Sequence, residues 1–117
     1  MATYEKVSLS GADHGLGIMV HVDVTLGTVI HTTPNNTTDW DEVWLWAVNT
    51  HTATILLTIE WGGVSVPANV ITVGIPAQQG LILVVPGLVL QDAKVVTAFA
   101  ATIDKISISG FVNRITP

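Results

Sequence analysis

WDEVWLWAVN at residues 40–49 and ATILLTIEW at residues 53–61 decide the fold. In the first run, Val43, Leu45 and Ala47 alternate with Trp44, Trp46 and Val48. In the second, Ile55, Leu57, Ile59 and Trp61 alternate with Leu56, Thr58 and Glu60. Successive side chains of an extended strand point to opposite faces, so a period of two marks β-structure. Only Thr50, His51 and Thr52 separate the runs, which predicts an antiparallel hairpin.

The same reading extends both ways along the chain. Valine, isoleucine and threonine dominate, and their branched side chains suit a pleated surface. Upstream, strands are expected at residues 5–10, 17–24 and 28–32, with 34–39 (PNNTTD) as a loop. Downstream, Gly62 and Gly63 end the second run, and residues 64–70 read as irregular around Pro67 and Asn69. Strands follow at 71–75 and 81–85, with Pro86-Gly87 as a turn before a short edge strand at 88–90. Residues 94–100 and 105–115 supply the last two.

Eight or nine short strands with no helix to cover a sheet must bury one sheet against another. The expected fold is a single all-β domain over residues 1–117, an antiparallel β-sandwich of jelly-roll type. Its predicted core is Val20, Val22, Val43, Leu45, Ile55, Leu57, Ile59, Leu83, Val85, Val96, Ile106 and Ile108. Several strands are apolar on both faces, and charged residues make up 11% of the chain against about 25% in ordinary domains. The surplus apolar surface points to oligomerisation, with a trimer favoured.

Composition excludes several functions. The four cations, Lys6, Lys94, Lys105 and Arg114, are too few for a nucleic-acid stripe, and net charge is -5. LILVV at 81–85 stops at Pro86, far short of the ~20 apolar residues of a spanning helix. The N-terminus does not read as a signal peptide, so the overlapping sequons at Asn35 and Asn36 read as loop residues. There is no cysteine, hence no disulfide or thiolate chemistry.

Candidate chemistry is sparse. Asp39, Asp41 and Glu42 cluster in sequence but lack the spacing of a calcium loop. His21 and Asp23 could give two metal ligands with no third. No serine lies in a nucleophile elbow, and there is no phosphate-binding or dinucleotide motif. No catalytic residue, metal or cofactor is therefore expected, and the chain does not read as an enzyme. Four tryptophans at 40, 44, 46 and 61 could fill core, join subunits or stack on sugars. The candidate interface is Tyr4, Val7, Trp40, Trp44, Trp46, Trp61, Val64 and Val66.

The chain also resembles small virion structural proteins of tailed bacteriophages. The resemblance lies in TVIHT at 28–32, DEVWLWAVNT at 41–50, LTIEWGG at 57–63, VGIPAQQGLILVVPGLVL at 73–90, VVTAFAAT at 95–102 and ISGFVNRI at 108–115. It implies a capsid decoration, or cement, protein on the head exterior, made in the host cytoplasm, with the major capsid protein as partner. Residues 32–39, 62–69 and 2–10 are the expected shell contacts, since loops and termini reach across subunit seams. A carbohydrate- or receptor-binding fibre domain is the alternative, and a tail or connector protein a third reading.

Overall fold

The computed structural model describes residues 2–117. Its nine strands are β1 (Thr3–Ser8), β2 (Ile18–Met19), β3 (Thr28–Thr32), β4 (Trp40–Asn49), β5 (Ile55–Trp61), β6 (Val70–Ile75), β7 (Ile82–Leu90), β8 (Val95–Ala100) and β9 (Ile106–Thr116). There is no helix among the described residues.

One sheet has the order β1-β9-β4-β7, with β2 also on β9; the other has β3-β8-β5-β6. All pairings are antiparallel. Leaving β2 aside, β1 pairs β9, β3 pairs β8, β4 pairs β7 and β5 pairs β6. That is one long hairpin, closed at β5–β6, whose arms pair first with last and inward. Wrapping it sets β4 beside β9 and β5 beside β8, giving the two-sheet jelly roll.

The core lies between the sheets. Val43, Leu45 and Ala47 of β4 and Ile106, Ile108 and Val112 of β9 are buried from one side. Ile55, Leu57 and Ile59 of β5 and Val96, Ala98 and Ala100 of β8 are buried from the other. The alternation in β4 is unbroken, which is why its bounds match the period-two reading.

Three expectations are corrected. The two deciding runs do not form a hairpin, because β4 and β5 belong to different sheets. Residues 50–54 instead carry the chain across the core, so the apolar faces of β4 and β5 belong to opposite sides of it. Asn49 fixes this crossing. Its Nδ2 donates to the carbonyls of Ala53 and Ile75, both at 2.9 Å, and its Oδ1 accepts from the His51 amide at 2.9 Å.

Pro86-Gly87 is not a turn, since β7 runs through it. β7 is an edge strand, where a missing proline N–H is tolerated. Gly87, at φ +80°, is the extra residue where the register passes from Val43–Leu88 to Trp44–Pro86. A second register shift, from Leu45–Val85 to Trp46–Leu83, turns Leu83 outward, so Leu83 is exposed and not in the core.

The run at 17–24 shrinks to β2. Beyond Met19 the chain leaves the first sheet: Val20 still donates to the Ile106 carbonyl, but the Val22 carbonyl accepts from Ala100 of the second. Val22 is accordingly half-buried. The other ten predicted core residues are buried.

Candidate functional site

Cross-strand register determines which side chains share the outer face of the five-stranded sheet. Trp44 opposes Phe111, Trp46 opposes Ser109, Glu42 opposes Asn113 and Trp40 opposes Ile115. On the flanks, Tyr4 opposes Ile115, Lys6 opposes Asn113 and Leu83 opposes Trp46. The face is therefore apolar and aromatic across four strands, with Lys6 and Glu42 as its charges. Tyr4, at 72% exposure, and Trp40, at 41%, are its most open aromatic members.

At its centre the rings of Trp44, Trp46 and Phe111 lie 6.3, 6.4 and 6.0 Å apart, with interplanar angles of 16–28°. Near-equal spacing excludes a column, whose end members would be twice as far apart as neighbours. The three near-parallel rings form one compact cluster on the sheet. Trp44 leans over β7, and a Cβ on Gly87 would lie 2.7 Å from its Cζ2. Glycine at 87 is thus required twice, by its positive φ and by the indole above it.

Polar groups hold two of the rings. The Trp44 indole N–H donates to Glu42 Oε1 at 2.8 Å, and Asn113 Nδ2 donates to the same oxygen at 3.1 Å. These two bonds hold the Glu42 carboxyl below its ordinary range. The Lys6 ammonium stands 4.5 Å from the Phe111 ring centroid, a cation–π contact.

The face runs into one end of the sandwich. There lie the 33–39, 62–69 and 91–94 connections, together with the start of β1 and the end of β9. Asp92 and Ala93 donate backbone bonds to the carbonyls of Asn36 and Pro34, tying two of these connections together. The topology thus gathers residues 32–39, 62–69 and the beginning of β1 at a single end.

Of the eight candidate interface residues, Tyr4, Trp40, Trp44 and Trp46 share the outer face. Val64 and Val66 are exposed in the 62–69 connection at the same end. Val7 and Trp61 pack against the core. Phe111, Ile115 and Leu83, the last expected in the core, join the face although none was among the candidate interface residues; the pairing of β9 and β7 with β4 brings them there.

The buried polar groups serve the fold. Asp41 and His31 are buried, with His31 Nε2 donating to Asp41 Oδ2 at 2.6 Å. Arg114 donates to both carboxylate oxygens, at 2.8 and 3.0 Å. Burial alone would raise the Asp41 carboxyl, but the bonds from Arg114 and His31 outweigh it and leave it lowered. His31 Nδ1 accepts from the Ser10 backbone amide at 3.0 Å. Both ring nitrogens are engaged, so His31 has none left to take a proton from the Ser10 hydroxyl, and this is no catalytic triad. The network instead joins β3 of one sheet to β4 and β9 of the other.

Glu60 plays a similar part on the second sheet. It accepts from Thr97 Oγ1 at 2.6 Å, the Gly27 amide at 2.8 Å and Thr25 Oγ1 at 2.7 Å. Burial raises its carboxyl and these donors lower it further, for a net lowering. Asp39, Asp41 and Glu42 do not converge: Asp41 points inward, Glu42 outward, and Asp39 sits in the loop. His21 Nδ1 meets Asp104 Oδ1 at 2.6 Å, not Asp23. Among the described residues no three His, Asp or Glu side chains could jointly hold a metal ion.

No protein-family model, curated protein or solved structure matches the chain.

Proposed function

We propose that this chain is a bacteriophage capsid decoration protein, which seats on the outside of the assembled head shell against the major capsid protein and works as a small cyclic oligomer, a trimer being favoured. The observation that carries the reading is the aromatic face and the loop end it runs into. A sheet face bearing Tyr4, Trp40, Trp44, Trp46 and Phe111 with only two charges is costly to leave in water and suited to a protein surface. The jelly-roll fold recurs in viral capsid and lectin domains, an analogy of fold alone.

Binding only the assembled lattice stabilises it by mass action, because separated subunits lack the composite site. The test adds purified protein to capsids that lack it and follows their thermal disruption. Disruption should move to higher temperature, should respond only modestly to salt, and should lose the shift on Tyr4→Ala with Trp40→Ala. An unshifted transition with no bound protein would refute the reading.

The clustered rings favour a second reading, a glycan-binding fibre or tail domain, since aromatic rings with polar groups at their rim suit sugar rings. It is supported if a glycan binds the wild type, the protein ignores capsids, and Trp44→Ala or Trp46→Ala abolishes glycan binding.

A further inference from the structure

From Trp61 through Gln91 the sequence contains no Asp, Glu, Lys, Arg or His. The fold turns this stretch into one lateral side of the sandwich. β6 is the last strand of the four-stranded sheet and β7 the last of the five-stranded one, and they follow each other in the chain. The opposite side is different in kind: β1 carries Glu5 and Lys6, and Asp13 and His14 follow it.

A free edge strand offers unpaired N–H and C=O groups, and soluble proteins guard such edges with charge, proline, bulges or a covering segment. β7 has nine residues, no charge, and exposed Leu83, Leu88 and Val89, with exposed Leu81 just before it. Its only guards are Pro86 and the two register shifts. β6 is likewise uncharged.

We infer that the β6–β7 side is where copies of this chain join one another. This rests on the oligomeric part of the proposed function and not on its virion part. The occupant is a second copy because an uncharged, apolar surface is matched by itself, without leaving a charge unpaired in the contact. The area suffices. Nine residues at ~3.3 Å each give a side roughly 30 Å long. With the 21 Å short dimension of the molecule this offers roughly 600 Å² per copy, or about 1,200 Å² in total, the lower bound of stable specific interfaces. Two different edges, one on each sheet, also let β7 of one copy lie along β6 of the next. Such a head-to-tail contact gives a ring when the rotation between copies divides the full turn, and an open filament otherwise.

The test is sedimentation velocity of the full chain, with circular dichroism to verify folding. Wild type should sediment as a small oligomer. Leu83→Lys with Val89→Lys, and separately Leu81→Lys, should give folded monomers, because each replaces an exposed side chain. Val29→Lys, on edge strand β3 at the opposite side, should sediment like wild type. A monomeric wild type at the highest soluble concentration overturns the inference, as do β7 variants that remain oligomeric. So does a Val29→Lys variant that dissociates as readily as they do. An oligomer that ignores capsids leaves this inference standing and removes the decoration reading; a monomer that binds capsids does the reverse.

Discussion

Replacing Asp41 by Asn should be among the most damaging near-isosteric changes in this protein. Asp41 is completely buried and receives one bond from His31 and two from Arg114. Asn keeps the volume but turns one acceptor into a donor facing donors. Removing one partner of a buried ion pair costs about 3–5 kcal/mol. Arg114 keeps 30% exposure and can recover water, whereas His31, at 1%, cannot. The lower end, about 3 kcal/mol, is therefore expected, or a Tm lower by roughly 12 °C in a domain of this size. The sign with pH follows from the lowered Asp41 carboxyl. Its contribution is complete above the unfolded value of 3.8 and is lost as pH falls through the lower folded value. The gap between wild type and Asp41→Asn should thus narrow below about pH 4. Urea unfolding across this pH range is the assay. A loss under about 1 kcal/mol near neutral pH, or a gap that stays constant into acid, would refute the reasoning.

Other expectations follow from single contacts. Asn49→Ala should cost about 2–3 kcal/mol in urea unfolding, since it strands the Ala53 and Ile75 carbonyls and the His51 amide at the crossing between sheets. Gly87→Ala should cost about 2 kcal/mol through its positive φ and the displaced Trp44 ring, and tryptophan emission should change with it. Glu60→Gln should expose the 20–27 segment to protease more than it lowers global stability, because Thr25 and Gly27 lose a charged acceptor. The wild-type contribution of Glu60 is also present above its unfolded value of 4.5 and fades as pH falls through the lower folded one.

Much of this fold is legible in the sequence where alternation is unbroken. β4 reads with its observed bounds and β9 to within one residue at each end, because each keeps one apolar face against the core. The same parity already placed Asp41 and Asn49 on the buried face with Val43, Leu45 and Ala47, and Arg114 with Val112. Lone polar groups at buried parity were the available signal for the ion network and for the crossing. Alternation does not say whether a neighbouring strand lies beside or across the core, so β4 and β5 read as a hairpin. It also fails at a bulge, where one extra residue reverses the faces, as Leu83 shows. Glu60 sat on an apparently outward face, and nothing local announced that residues 25–27 fold over it. The four tryptophans read as one group by their nearness in sequence, yet parity already set Trp61 with Ile55, Leu57 and Ile59, and it packs on the core while the other three share the outer face.

The most direct test of the central claim is a reconstruction of an intact phage particle containing this chain. The account predicts the jelly roll outside the shell, in small symmetric clusters, with Tyr4, Trp40 and the 33–39 and 62–69 connections against the major capsid protein. Finding the chain only in tail or fibre density, or finding those residues turned to solvent while another surface meets the shell, would contradict it.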